Sequence, residues 1–279
     1  EKEIILVEQT SNSLFQAMHY LDLTATFNNL YLVIEEIPET AANKVGQLIF
    51  AKSNKRQLIR GLPGYENIYQ KYWSLLLKRV NEIILSFRSN LATEIHFQTQ
   101  WVENFRDNLR PYFNSPGINT LFKSFTNVPI IIAASGPSLE KNMHLLPKVR
   151  GKALVLAAGS AIGPLLKNDI IPDLLISIDP SELNYKHFKD INTSKVRLAF
   201  TSTIYSQIVA EYQGPKFSFG MNTFPFDKWI SDTIQEQKGI LASGSTVAVT
   251  CFDLAIKLGG NPIIFVGQDL AYTDLRSHA

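Results

Sequence analysis

From residue 128 onward the chain alternates between short apolar runs and stretches with apolar residues spaced three and four apart. The runs are VPIIIAA, ALVLAAG, DLLISID, VRLAFTS, KFSFG and NPIIFVG. Near-continuous runs of this kind mark strands buried on both faces, and helical spacing between them implies crossover connections and a mainly parallel sheet. The expected fold class is therefore α/β, a Rossmann-like, mainly parallel sheet with flanking helices over 127–279. The first 65 residues repeat the logic on a smaller scale. EIILVEQ reads as a strand; 11–23 carries Leu14, Ala17, Met18 and Leu21 at helical spacing; 30–34 reads as a second strand; and PETAANKVGQLIF reads as a helix opened by Pro38. Between 66 and 109 the apolar positions Leu75, Leu76, Val80, Ile83, Ile84, Phe87 and Leu91 predict a long helix packed on one side. Its aromatics, Tyr69, Tyr72, Trp73, Phe97, Trp101 and Phe105, read as packing. Further helix up to Phe122 leads into a linker around Asn127. The expected organisation is a small α/β amino-terminal unit (1–65), long helices and a linker (66–126), and the Rossmann-like domain (127–279).

Composition narrows the partners. The chain has 279 residues, 45% of them hydrophobic, enough for one large core or two domains. With 27 basic and 25 acidic side chains the net charge is +2, and no arginine–lysine stripe builds a phosphate-tracking surface, which argues against nucleic acid. Lys52, Lys55, Arg56 and Arg60 form a short charged patch that reads as solvated. The single cysteine, Cys251, excludes an internal disulfide and reads as a small buried hydrophobe, in keeping with a reducing, cytoplasmic setting. No run of about 20 apolar residues spans a membrane, and no basic-then-apolar signal segment opens the chain. The start on Glu1 and the end on LRSHA read as cuts from a longer protein. Oligomeric state is not readable.

In parallel sheets ligands collect where strands end and helices begin, so the strand ends carry the functional reading. At IIAASGPSLE an apolar run stops on Ser135, Gly136, Pro137 and Ser138. Gly136 is read as a residue of unusual backbone geometry, Pro137 as harmless at the first helical turn, and Ser135 as the helix cap, with Glu140 supporting the helix start. Two readings stand side by side: a capped helix, and an anion seat built from free N–H groups. It is neither the G-x-G-x-x-G fingerprint nor a P-loop. At AAGSAIGPLL, Gly159 and Ser160 open another helix. DLLISIDPSELNYKHF sets Asp179 just past a strand, with Asn184 and Tyr185 one to two turns on, as a grip for a ribose hydroxyl, a metal or a cation, or as a helix cap. Asp173, before that strand, reads as a structural cap at the opposite edge. LASGSTVAV puts Ser243, Gly244 and Ser245 ahead of an apolar helix, in which Asp253 is expected to face outward. NPIIFVGQDLAYTDLRSHA delivers Gly267, Gln268 and Asp269, with Tyr272 and His278 beyond. Four such ends in one sheet favour a nucleotide or sugar-nucleotide pocket over a bare scaffold.

Several chemistries are disfavoured. There is no H-E-x-x-H, no cysteine cluster and no close histidine pair, so a zinc site is not expected, and ASGPS is not the G-x-S-x-G elbow. His19, His96 and His144 fall in helical segments; His187 and His278 are the candidate histidine bases. Asp179 or Asp269 are candidates to hold Mg²⁺ or to deprotonate an incoming hydroxyl.

The order SGPSL, AAGSAI, PDLLISIDPS with NY, SGSTVA, and GGNPIIFVGQDLAYT followed by a histidine resembles the motility-associated factor glycosyltransferases, which share a domain with archaeal 6-hydroxymethylpterin diphosphokinases. The resemblance covers 127–279, and the preceding VEQ strand and long helices look like the amino-terminal domain of the same proteins, which also carry a carboxy-terminal helical region. It implies a sialyltransferase-like central domain. It further implies transfer of a nonulosonic acid, pseudaminic or legionaminic, from its CMP-activated donor to Ser or Thr hydroxyls of flagellin. On that resemblance 135–138 would embrace the CMP phosphate, Asp179 would lie beside nucleotide or acceptor, and 243–245 would line the donor. The base stays open between His278 and Asp269, and Mg²⁺ is optional. The alternatives are a pterin diphosphokinase using ATP and Mg²⁺, with Asp179 and Asp269 as ligands, and a catalytically silent flagellar scaffold.

Overall fold

In this computed structural model the structure describes residues 3–20, 29–51, 57–62, 64–234, 237–244 and 246–270. They fall into two compact units, Glu1–His96 and Phe97–Ala279. The boundaries expected at 65 and 126 lie to either side of this division. Lys52, Lys55, Arg56, Ser245, Tyr272 and His278 lie outside the described residues.

The amino-terminal unit pairs β1 (Ile4–Glu8) in parallel with β2 (Leu30–Ile34), Ile4 opposite Leu30, joined by a connection that includes α1 (Ser11–Tyr20). It continues with α2 (Pro38–Phe50), which has Pro in its first turn as expected, and α3 (Tyr65–Ile68). α4 (Gln70–Asn114) begins in this unit and runs on into the second. Tyr72, Leu76, Val80 and Ile84, four apart along one helical stripe, join Val33, Ala41, Ala42 and Val45 in a core of their own. Leu75 and Leu91, read as part of the buried stripe, are instead exposed at its margin.

The second unit is a seven-stranded, wholly parallel sheet. In chain order its elements are β3 (Ile130–Ala133), α5 (Leu139–Asn142), β4 (Leu154–Ala158), α6 (Ile162–Lys167), β5 (Leu174–Ser177), α7 (Glu182–Tyr185), β6 (Arg197–Thr201), α8 (Ser206–Glu211), β7 (Lys216–Met221), α9 (Pro225–Ile234), β8 (Ile240–Leu241), α10 (Val247–Leu258) and β9 (Ile263–Val266). The spatial order is β8-β7-β6-β5-β4-β3-β9. From β3 to β8 the chain moves one strand at a time in one direction; α10 then carries it back, and β9 docks on the far side of β3. Strand residues alternate between two cores. Ile131, Ala133, Val155, Ala157 and Leu175 join the one beneath α5, α6 and α8, while Ile130, Ile132, Leu156, Ala158 and Ile176 join the one beneath α10. Both faces of β3 to β6 are therefore dry, and this is why those strands read as unbroken apolar runs rather than as alternating patterns; the edge strand β9 reads the same way although Ile264 and Phe265 are exposed.

Polar side chains from distant segments fix α4 to this sheet. Asn104 and Asn108, one turn apart and buried, face the loop after β6. Asn104 donates to the carbonyls of Pro180 (3.0 Å) and Thr203 (3.1 Å), and Asn108 to those of Ser202 (3.1 Å) and Ile204 (2.7 Å). The buried Lys238 ammonium donates to the carbonyls of Phe113 (3.1 Å) and Ser115 (2.9 Å), closing the carboxyl end of α4 with a positive charge where the helix dipole favours one. Residues near Asn127 are not a free linker. The N–H groups of Lys123, Phe125 and Asn127 donate to the carbonyls of Lys257, Leu258 and Gly259 at the end of α10.

Replacing Asn108 with Ala leaves two buried carbonyls without their donor, at a cost of about 2–3 kcal/mol. The expected result is a lower urea midpoint with an unchanged slope; an unshifted midpoint would show that the Asn108 bonds are not what holds α4 in place.

Candidate functional site

Strand order reverses at β3, so the carboxyl edge between β3 and β9 is where an open parallel sheet forms its crevice. Here the two loops are closed on each other. Ala134 N–H donates to Val266 O (2.9 Å), Gly136 N–H to Gly267 O (2.8 Å), and Ser138 N–H to Asp269 Oδ2 (2.8 Å). Gly136 is required by this approach and not by its backbone angle: a Cβ there would lie 2.5 Å from Gly267 O and 2.6 Å from Asp269 Oδ2. Gly267 is itself left-handed, at φ +71°, and its missing Cβ makes room for Ala134 O.

The local chemistry therefore differs from that expected. Ser135 does not cap α5. The residue before α5 is Ser138, and the Ser135 hydroxyl instead bonds that of Ser160 at 2.6 Å, linking the ends of β3 and β4. Pro137 is buried. The amides of Gly136, Ser138, Leu139, Glu140 and Lys141 already donate within the protein, so the free N–H groups expected of 135–138 are largely engaged. Asp269 holds the loop. Its contact with the Ser138 hydroxyl, then with the Ser138 N–H and the Lys141 charge, draws its carboxyl below the usual carboxylate range and makes it a poor proton acceptor. Gln268 lies half-buried beside it.

Asp179, past β5, is exposed and accepts Ser181 N–H through Oδ1 (2.8 Å), the geometry of a turn cap leading into α7. Asn184 is buried and donates to Ser177 Oγ (3.0 Å) and to the Asp179 carbonyl (3.1 Å). Tyr185 donates to the Glu211 carboxylate. Asn184 and Tyr185 thus hold the β5 end and the α7–α8 side, and neither is brought together with the 135–138 loop. Asp173 accepts Val155 N–H (2.8 Å) before β5, as expected of a structural cap. Strand order puts Asp179 and Asp269 three strand spacings apart, about 14 Å. The Asp269 carboxylate, however, reaches across to the β3 loop through Ser138 N–H, and so leans toward the β5 side.

The remaining polar cluster gathers around the start of α10. Gly159 is left-handed, at φ +46°, and Val247 Cγ2 would sit 3.8 Å from a Cβ placed on it, so α10 begins against the β4 end. Thr246, extended ahead of α10, makes no side-chain cap bond, and the first turn of α10 carries no acidic residue. The Ser243 N–H and hydroxyl donate to Asn222 Oδ1 (3.3 and 3.4 Å), and the hydroxyl also donates to Thr223 Oγ1 (3.1 Å). Gly244 is needed because a Cβ would come within 2.7 Å of Val249. Asp253 does not face outward: it accepts Ala242 N–H (2.8 Å) and pairs with Lys257 (2.6 Å).

One buried acid escaped the sequence reading. Asp227, 2% exposed in the first turn of α9, accepts the Ser202 hydroxyl and Met221 N–H, both at 2.7 Å. Its signal, FPFDKW, looks like an ordinary helix start, and Ser202 and Met221 become its partners only when β6 and β7 lie side by side. Burial pushes its carboxyl up to about 6 against the pull of those two donors. The concave surface lined by Met143, His144, Pro164 and Lys167 lies on the helical flank, and none of the expected site residues lines it.

Because the folded protein binds the Asp227 proton more tightly than the unfolded chain, this group favours folding at pH 4, and that contribution is lost as pH rises through about 6. Two pH units correspond to roughly 3 kcal/mol. The stability difference between the parent and Asp227→Asn, measured by urea unfolding at pH 4 and pH 7, should shift by about that amount toward the variant at pH 7. A constant difference would place the Asp227 pKa at its ordinary value.

An uncharacterized protein of Treponema pallidum (strain Nichols) is 31% identical over 102 residues, 35% of this chain and 46% of that protein. Across 98% of its length the chain superposes on the structure of a MAf glycosyltransferase from Magnetospirillum magneticum AMB-1, with TM-score 0.69 and 18% identity, covering 44% of that protein. At that identity the likeness is one of fold, and the chain spans less than half the length of either protein. The family described as 6-hydroxymethylpterin diphosphokinase MptE-like matches residues 103–275, which take in the whole seven-stranded sheet with its strand-end loops. With more than half of its length matched, the chain belongs to the 6-hydroxymethylpterin diphosphokinase MptE-like family.

Proposed function

We propose that the chain carries the donor site of a glycosyltransferase. In this reading it moves a nonulosonic acid of the pseudaminic or legionaminic class from its CMP-activated form to Ser or Thr hydroxyls of flagellin. The fold shared with a MAf glycosyltransferase supports the transferase class. The observation that carries the reading is the α10 start beside the Ser135–Ser160 pair: an uncapped twelve-residue helix with no acid in its first turn, next to two hydroxyls at the carboxyl edge of the sheet. Its first-turn amides suit a departing phosphate. The hydroxyl pair holds two protons and uses one in its mutual bond, so the other is available to the leaving group.

In the transfer, the acceptor oxygen forms a bond to the anomeric carbon, the bond from that carbon to the CMP phosphate oxygen breaks, and CMP leaves with its added charge. Amides and hydroxyls already in place stabilise that charge without reorganisation. The hydroxyl proton must pass to a base. Asp269 is unsuited by its lowered pKa. Asp179, exposed and with Oδ1 on the Ser181 amide, is assigned to the nucleotide or acceptor side. The diphosphokinase reading is favoured by the family match, and in it Asp179 and Asp269 would be the ligands of Mg²⁺.

Calorimetry on the purified chain decides between the two. CMP should bind without divalent metal, and the double variant Ser135→Ala, Ser160→Ala should weaken it about tenfold, a loss of about 1.4 kcal/mol. ATP binding that requires Mg²⁺, with no CMP binding, would move the assignment to the diphosphokinase. Asp179→Ala should lose transfer to flagellin while costing the fold about 1 kcal/mol, as a missing cap does; transfer near the parent rate in the folded variant removes Asp179 from the site.

A further inference from the structure

We infer that Asp227 is a positioning residue for the loop that opens α10, acting through the 221–223 turn on Ser243. The inference rests on the donor-site reading for its functional consequence, and on geometry alone for the linkage itself. Asp227 is the deeply buried member of a polar path that runs along the carboxyl edge of β6, β7 and β8. Its two oxygens are fixed by the Ser202 hydroxyl, at the end of β6, and by Met221 N–H, the last residue of β7. The β7 strand comes up against the acid because residue 220 is glycine: a Cβ there would lie 3.1 Å from Asp227 Cβ and 2.7 Å from Ile240 Cδ1. Beyond Met221, Asn222 and Thr223 are exposed, yet their side-chain oxygens receive the Ser243 N–H and hydroxyl. Asn222 N–H in turn donates to Leu241 O (3.4 Å). The turn after β7 and the turn after β8 are therefore linked, and Asp227 is the buried side chain that hydrogen-bonds the first of them, beside the packing of Met221 on the core.

A carboxylate is suited to this post because both of its oxygens accept. Asparagine can turn so that its Oδ1 still accepts Met221 N–H while its NH₂ donates to the Ser202 hydroxyl oxygen, so it keeps the turn; leucine, close to aspartate in shape, removes both acceptors. The turn would then be released from the acid while the surrounding packing is kept. Ser243 would lose its fixed acceptors, and with them its placement beside the 221–223 turn. A displacement of about 1 Å in such a segment is enough to weaken an oriented contact severely.

The test is a double-variant cycle of Asp227→Leu and Ser243→Ala, with two readouts. Hydrogen exchange needs no ligand: Asp227→Leu should speed exchange about tenfold in segments 220–224 and 241–244, with β3, β4 and β5 unchanged. Faster exchange confined to 220–224, or spread evenly over the sheet, would overturn the linkage and leave Asp227 a local packing group. CMP affinity is the second readout: each single variant should weaken it about tenfold and the double variant no further, since both break one path. Additive losses would overturn the positioning role. If the parent chain binds no CMP, the donor reading fails while the exchange result still decides the linkage. Where Asp227→Leu does not fold, Ser202→Ala removes one of the two donors and keeps the other; it should speed exchange in the same two segments about threefold, and no change there would overturn the inference.

Discussion

Everything in the second unit depends on how closely the loops after β3 and β9 approach. β9 can dock beside β3 only if the two chains continue to bond past the strand ends, and they do so through Ala134, Gly136 and Ser138 on one side and Val266, Gly267 and Asp269 on the other. Two residues without a Cβ meet there, and one carboxylate closes the last rung. That docking returns the chain across the sheet, and α10 is the element that returns it. The position of the α10 start over the β4 end is thus a consequence of the β3–β9 closure. The SGPS stretch has this mechanical role, with its amides engaged within the protein and its Ser135 hydroxyl on that of Ser160.

Strands β3 to β6 were legible because both of their faces are dry, so each apolar run could be read without knowing its neighbours; NPIIFVG reads as a run too, although Ile264 and Phe265 of the edge strand β9 are exposed. β8 was not legible, since a two-residue strand, Ile240–Leu241, carries no pattern of its own and exists only because β7 is beside it. The candidate loops were legible as glycine- and serine-rich breaks after those runs. Their internal bonding was not. Ser135 followed by Gly and Pro has the local signature of a cap, and its actual partner, Ser160, is 25 residues away. Asn104, Asn108, Asp227 and Lys238 follow the same rule: their partners are carbonyls, amides or hydroxyls supplied by segments that only the folded sheet brings near. Asp253 was read outward from its place in an apolar helix, when a neighbouring strand end had an amide for it.

A common pattern runs through these acids. Asp179, Asp227, Asp253 and Asp269 all stand at the carboxyl edge, and each accepts a backbone N–H, from Ser181, Met221, Ala242 and Ser138 respectively. Loops between parallel strands leave amides that no ladder satisfies, and an unsatisfied amide at a dry edge is costly. A carboxylate is the strongest acceptor the chain can place there. The acidic residues that a sequence reading naturally assigns to metal or proton chemistry are thus first of all the fasteners of the turns.

This division of labour bears on the chemistry the edge can support. A carboxylate that accepts an amide is held in its charged form, as Asp269 is, and loses value as a base. Asp227 shows the opposite balance: burial outweighs its two donors, so it sits nearer neutrality, but no solvent-facing oxygen remains for a substrate. What the edge presents outward is instead a set of hydroxyls and helix-start amides, at Ser135, Ser160, Ser243 and the first turn of α10. Such groups bind and stabilise a phosphate that leaves already carrying its charge. In the donor-site reading proposed above, this match between the groups on offer and the charge to be stabilised is what the edge would contribute to transfer.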